Sequence, residues 1–436
     1  MRKQPGAASI ELGLHANLAQ FVVLIIINAF VGALVGFYSL VSLIGQAEFG
    51  LTSNTVLLSY IVSFGGTKAV CNYYAGRLAD RFGRRPLLLL GWLLALPVPL
   101  LVITAPNWAW IVAANLLLGA SQGFAWSMTV IMKIDLVGPA KRGLALGLNE
   151  FAGYVSVSLT LLASGYVAAL YSLRPEPFYL GIGFTLVGLT LSALKARETR
   201  RHAALEAQAI RPSTASVGAG VPRAAPRSVF FFTTFRDRAL SSSCAAGLVN
   251  NAIFGMSWGL FPLFFVSRGV EVETINFIKA FYPGVWGVLQ LATGPLSDRL
   301  GRKWMIVSGQ LIQAAGIWLT VSSTAVPSWI LASGLIGLGT ALVYPTLLAA
   351  VSDVAHPEWR GAALGTYRFW RDAGYALGAV VAGGVADLIG IPFAMNLVGG
   401  VTIASALLVA VRMYETHRGT RAGSASVTRE PTAAPS

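Results

Sequence analysis

Five ionisable residues fall inside long apolar stretches: Lys68, Glu150, Arg368, Arg371 and Asp372. A charge in hydrocarbon is costly, and one that persists there usually handles an ion, a proton or a charged solute. A carboxyl buried in low dielectric favours its neutral form, and a neighbouring cation opposes this by holding the charge. Glu150 is the carboxylate placed well inside an apolar run in the first half of the chain. It is therefore the candidate for taking up and releasing a driving proton. Asp372 competes for that role, but Lys68 and Arg371 are expected to keep it ionised. The plainer alternative is that these residues form fixed pairs that hold helices together. Other chemistry is not expected. The two cysteines, Cys71 and Cys244, lie in apolar runs, and the four histidines lie in flanks or loops, so neither a disulfide framework nor a metal site is expected. H-E-x-x-H and the ATP-binding G-x-x-x-x-G-K-[ST] loop do not occur. No enzyme activity and no cofactor are expected.

The elements that position these charges are membrane spans. The 436-residue chain is 55% hydrophobic and 11% charged, with a mean hydropathy of +0.66. A soluble body carries roughly 25% charged residues to wet its surface, so lipid must face most of this one. Apolar segments long enough to cross a core of ~30 Å as helices recur along the chain. They are continuous, not alternating, which argues against a barrel. Twelve spans are expected: 18–42, 53–76, 86–105, 108–132, 143–170, 178–195, 240–266, 273–296, 304–325, 328–351, 361–385 and 392–412.

The net charge of +14 might suggest nucleic acid, but its distribution does not. With the N-terminus inside, inner segments collect 26 of the 32 Lys and Arg. Arg77, Arg81, Arg84 and Arg85 follow span two; Lys133, Lys141 and Arg142 follow span four; nine more lie from Lys195 to Arg238. The outer side is left with Arg174, Arg268 and Lys279. This positive-inside asymmetry predicts both termini in the cytoplasm and accounts for the basicity without nucleic acid. The first apolar run reads as a retained span, not a cleaved signal.

A polar, Pro/Ala/Ser/Gly-rich stretch over 198–238 divides the spans into six and six. Its first part suits a short helix, and the rest reads as linker. The halves repeat. Gly76-Arg-Leu-Ala-Asp80-Arg81-Phe-Gly83-Arg84-Arg85 aligns with Gly294-Pro-Leu-Ser-Asp298-Arg299-Leu-Gly301-Arg302-Lys303 at an offset of 218 residues. Asp135 and Arg142 match Asp353 and Arg360 at the same offset. Such repetition marks transporters whose halves rock about a central site.

The doubled G-x-L-x-D-R-x-G-R-[RK] motif, twelve spans and central linker together resemble the major facilitator superfamily. The resemblance implies an all-α membrane fold of twelve helices in two pseudo-symmetric six-helix bundles, over 18–197 and 239–416, with 1–17, 198–238 and 417–436 on the cytoplasmic side. It implies that Asp80 latches the halves in one conformation and releases them in another. Asp80 suits this by capping a helix or pairing with a cation, while the motif glycines permit tight turns and close helix approach. Glu198 and Glu415, after the last span of each half, are expected to join a charge network with Arg84 and Arg142, and with Arg302 and Arg360.

The same fold brings span two against span eleven and span five against span eight. Lys68 and Asp372 lie at matching depths of about 12–18 Å, so a pair is expected. Arg368, the repeat-mate of Glu150, is the cation expected to oppose its protonation. Spans one, four, seven and ten would line the cavity, with Asn28, Gln122, Trp126, Asn250, Asn251, Trp258 and Tyr344 among the lining residues. Amides and rings suit a neutral or amphipathic solute; Lys68, Arg368 and Arg371 make an organic anion attractive. The expected function is secondary active transport of such a solute across the inner cell membrane, coupled to protons, by a functional monomer, with export as the favoured direction. An uptake permease or uniporter for a metabolite anion is the alternative, and a transporter-like sensor a more distant one.

Overall fold

The computed structural model describes residues 12–138, 142–210, 228–356 and 359–417. The expected terminal segments and the centre of the linker lie largely outside these residues. Among the described residues the secondary structure is helical and no strand occurs. Span one is Leu18–Ala33 continued by Tyr38–Ala47; span two is Asn54–Leu57 continued by Ser59–Phe82; span three is Arg84–Ala95 continued by Val98–Ile103. Spans four to six are Trp108–Val137, Arg142–Leu170 and Glu176–Leu194. A linker helix follows, Arg200–Ile210. Spans seven to twelve are Arg238–Ser267, Val272–Leu300, Lys303–Ser322, Val326–Val354, Arg360–Leu388 and Ile391–Arg412. The end of the bundle that carries the linker helix and the repeated loops is called here the linker face, and the other end the far face.

Local chemistry explains the interruptions. Pro97 cannot donate to the helix ladder, and span three breaks there. Span one tightens at Gly32–Gly36, where Val35 N–H donates to the Gly32 carbonyl at 2.9 Å and Gly36 N–H to Ala33 at 3.0 Å. Here it crosses span five so closely that a Cβ on Gly32 would lie 2.3 Å from the Gly153 carbonyl oxygen. Small residues at such crossings let backbones touch, which is how membrane helices gain packing energy.

Eight of these helical rods are long and apolar enough to cross a membrane. The others are span one, which is divided, and spans two, eight and eleven, which carry the charges. That division has a physical sense. Span two packs on span eleven and span five on span eight, making the two largest contacts between the halves. The charged faces meet protein across this seam and not lipid.

Two expectations need correction. Lys133 was assigned to a loop after span four, but that helix continues to Val137 and Lys133 is wholly buried within it. Lys279 was assigned to the outer surface, but it lies inside span eight and is buried. Both spans run well past the roughly 20 residues that hydropathy requires. The pentapeptide Gly119–Gly123 has the G-x-S-x-G spacing of a hydrolase elbow. It lies in mid-helix with Ser121 buried, not on the strand–turn–helix such an elbow needs.

Candidate functional site

Two sites emerge from these elements: a repeated charge network at the linker face and a charged aromatic cluster in the seam.

At the linker face the repeat is structural as well as sequential. Gly83 and Gly301 adopt φ of 100° and 89°, a region open to glycine, and turn the chain from span two into three and from eight into nine. Each turn leaves the first N–H groups of the next span free. Glu198 fills those of Arg84 and Arg85 at 3.1 and 3.0 Å. Glu415 does the same for Arg302 and Lys303 at 2.8 and 3.1 Å. A carboxylate at a helix N-terminus meets the positive end of the dipole. Partial burial pushes the Glu198 pKa up, but N–H donors from Arg84, Arg85, Arg200 and Thr199 outweigh it, and the group lies below its ordinary value.

The guanidiniums point elsewhere. Arg84 reaches Asp80 at 3.0 Å and Asp135 at 3.1 Å, and Arg302 reaches Asp298 at 2.7 Å and Asp353 at 3.0 Å. The expected Glu198–Arg84 and Glu415–Arg302 contacts therefore run through backbone, and each network stays within its own half. Asp80 pairs across the Gly83 turn with the first residue of span three, and among the described residues it makes no ion pair with the other half in this conformation. Arg81, next to Asp80, and Arg299, next to Asp298, are exposed. Arg360 donates to the Ala355 carbonyl at 3.2 Å; the Arg142 side chain lies outside the described residues. A Cβ at Gly76 or Gly294 would meet nothing within 4 Å.

The seam cluster is built on a stride of four. Phe64, Lys68 and Asn72 share one face of span two; Glu150 and Tyr154 one face of span five; Tyr282, Trp286 and Gln290 one face of span eight; Arg371 and Tyr375 one face of span eleven. Tyr154 stacks on Trp286 across the halves, centroids 3.4 Å apart. The Lys68 ammonium stands 5.3, 5.6 and 5.4 Å from the ring centres of Phe64, Trp126 and Tyr375. Arg371 lies 4.5 Å over Tyr344. Both are cation–π contacts in a desolvated setting.

The expected Lys68–Asp372 pair is not made here. Asp372 is instead held by Asn72, by Asn251 at 3.3 Å and by Arg371 at 3.2 Å. Asn72 also accepts from Ser127, so a polar chain crosses spans four, two, eleven and seven. Asn72 lies one turn from Lys68 and takes its place at the carboxylate, while three rings draw the ammonium aside. Nor does Arg368 pair with Glu150 among the described residues. Glu150 is buried, and its Oε1 accepts from Trp126 Nε1 at 3.1 Å and Asn149 Nδ2 at 2.9 Å. Its Oε2 has no hydrogen-bond partner among the described residues.

The amides expected to line the cavity are engaged within the protein. Asn28 donates to the Asn149 carbonyl at 2.6 Å and accepts from Thr129 at 2.8 Å. Gln122 donates to the Val31 carbonyl at 2.8 Å. Asn250 accepts from Gln313 at 2.7 Å. Trp258 packs on Phe254, Phe64 and Tyr375. Sequence reasoning missed Tyr154, Trp286, Tyr375 and Asn72, since it took lining residues from spans one, four, seven and ten. The stride of four around Lys68, Glu150 and Arg371 was the available signal.

Comparison with known proteins agrees with this architecture. The chain aligns at 26% identity with the inner membrane transport protein YnfM of Escherichia coli, over 38% of this chain and 39% of that protein. An uncharacterised MFS-type transporter of Methanocaldococcus jannaschii matches at 27% over 38% and 42%. These two alignments span about two fifths of each relative. One from Salmonella typhimurium matches at 24% over 72% of this chain and 76% of that one. Among solved structures, a POT family transporter bound to a thioalcohol-conjugated peptide superposes with a TM-score of 0.69 at 13% identity, covering 90% of this chain and 95% of that one. The nucleoside transporter NupG gives 0.66 at 12%, covering 91% and 100%. The human organic anion transporter MFSD10 gives 0.61 at 18%, covering 90% and 99%. At these identities the structures speak for the fold alone. The family description of the Major Facilitator Superfamily matches residues 16–257 and 243–434, and this multi-pass membrane protein belongs to that transporter family.

Proposed function

We propose that the chain is a proton-coupled secondary transporter of a small organic anion with a flat apolar body. The two halves, over 18–197 and 239–416, would alternate around the seam cluster. The observation that carries this reading is the setting of Lys68. Its ammonium is enclosed by three rings and has no ion pair among the described residues, while Arg371 stands nearby over Tyr344. Such a setting suits a carboxylate at the cations and a ring among the rings.

The charge balance supports it further. Among the described residues the buried cations within spans are Lys68, Arg84, Lys133, Lys279 and Arg371, against the buried carboxylates Asp135, Glu150 and Asp372; Arg84 is paired with Asp135. Asn28 and Asn250 are bound internally; Gln122 donates to the Val31 carbonyl while its Oε1 has no hydrogen-bond partner among the described residues. For the proton, Glu150 offers an unpartnered oxygen and neutral N–H donors in place of a paired cation. Protonating it makes the cluster more positive. Proton and anion then assist each other's binding, and the assistance is reciprocal. That linkage favours the uptake alternative over export. The basic linker face would lie in the cytoplasm, and the membrane would be the inner one, as for YnfM.

The test is selective stabilisation of the purified protein in detergent, since a ligand of the folded state raises the melting temperature by mass action. At constant ionic strength, benzoate should raise it and benzylamine should not, and Lys68→Met should lose the benzoate shift. Stabilisation by benzylamine without stabilisation by benzoate would reverse the assigned charge.

A further inference from the structure

The interior holds a cation that the central cluster does not use. Lys279 lies on span eight, seven residues from the far-face start at Val272, or about 10 Å in. It is 4% exposed. Its Nζ reaches the Trp258 carbonyl at 3.5 Å, the long limit of a hydrogen bond, and it forms no ion pair among the described residues. Its repeat-mate is Ile61, which is also buried. The shared helix packing thus accepts an apolar residue at this position, and the ammonium is particular to the second half.

Its surroundings are polar and lie in the seam. One turn towards the far face, Asn276 accepts from Ser39 of span one and donates to the Val272 carbonyl at 3.1 Å. Next to Lys279, the Ala280 carbonyl accepts from Ser158 of span five at 2.8 Å. On the other side, the Trp258 ring packs on Phe64 and Tyr375, two of the rings around Lys68. Contacts therefore lead from Lys68 through Phe64 and Trp258 to Lys279, from the central cluster towards the far face.

We propose that Lys279 is a second anion station, on the far-face side of Trp258, which takes the carboxylate of the transported solute before or after Lys68 and Arg371. The proposal rests on the anion reading above. A buried ammonium without a counter-ion carries a desolvation cost that one long hydrogen bond to a carbonyl offsets only in part. A passing carboxylate offsets it for as long as it stays. Two stations in series, each of modest strength, let a solute enter and still leave.

Lys279→Met tests this with three readouts: melting temperature, the benzoate-induced shift, and counterflow of labelled benzoate in proteoliposomes. Lys279→Gln, which keeps a donor for the Trp258 carbonyl, serves as a second variant. The station predicts melting at or above wild type, because an unpaired buried charge has gone. It predicts a retained benzoate shift, because the central cluster is intact. Counterflow should fall about ten-fold or more, the loss of one hydrogen bond to a charged group. Counterflow at the wild-type rate in either variant overturns the station. So does failure of both variants to fold, or a lowered melting temperature in both, since Lys279 would then be part of the frame. If benzoate fails to stabilise the wild-type protein itself, the anion reading falls first and the station falls with it.

Discussion

At the scale of the residue, Lys68 and Asp372 lie close together but do different work. Asp372 is a structural hub: it accepts from amides of spans two and seven and neutralises Arg371. Removing it orphans those donors and leaves a buried guanidinium alone. Asp372→Ala should therefore cost about 3–5 kcal/mol of stability, as for other broken buried pairs. Lys68→Met should cost little, since a methionine fills the same ring-lined space. Denaturation of both variants in detergent checks this; equal losses would mean that Lys68 is part of the frame. Lys68, Glu150, Arg368, Arg371 and Asp372 stood out in the sequence as charges in apolar runs, whereas Lys133 and Lys279, also buried within spans, were assigned elsewhere. The partners of the first five did not stand out. Asn72 and the rings around Lys68 are ordinary residues in a hydrophobic stretch, and only the packing of span two on span eleven brings them to these groups.

At the scale of the element, the repeated motif is a device for starting a helix. Gly83 turns the chain, Glu198 caps span three, and Arg84 ties span two to Asp135. Glu198→Gln should lower stability by about 1 kcal/mol, the worth of a lost cap. The pH dependence has a fixed sign. Because the folded-state pKa of Glu198 is depressed, its contribution is full above the ordinary carboxylate range and disappears as pH falls through the folded value. The wild type and Glu198→Gln should thus differ at neutral pH and converge in acid, in urea titrations of the detergent-solubilised protein. A gap that persists in acid would assign the effect to shape, not charge. Gly83→Ala should be worse, since an added Cβ would stand 2.7 Å from Glu198 Oε2 as well as strain the turn. The motif was legible because helix starts demand particular residue types at fixed spacing. The end of span four was not: a hydropathy window stops at Lys133, while the helix carries that lysine, fully buried, on to Val137.

At the scale of the molecule, the halves meet along spans two, five, eight and eleven and are clasped at the far face. Asp387, at the end of span eleven, accepts from Ser53 Oγ at 2.8 Å, Asn54 Nδ2 at 3.0 Å and Thr55 N at 3.0 Å, at the start of span two. Opening the far face requires these bonds to part. Asp387→Ala should make a cysteine placed at the buried Ser39 position react faster with a membrane-impermeant maleimide added from the far side. An unchanged rate would show that the clasp does not set the equilibrium. The two-half plan itself was readable from one offset shared by two motifs. The clasp was not, because Asp387 and Ser53 are distant in sequence and neither belongs to a repeat.

The central claim is that this seam couples an organic anion to a proton through Glu150. Accumulation of labelled benzoate in proteoliposomes under an imposed pH gradient tests it most directly, comparing wild type with Glu150→Gln. The account predicts that the wild type accumulates benzoate, and that Glu150→Gln does not, while still exchanging labelled for unlabelled benzoate at equilibrium. Gradient-driven accumulation by Glu150→Gln would contradict it and place the coupling proton elsewhere.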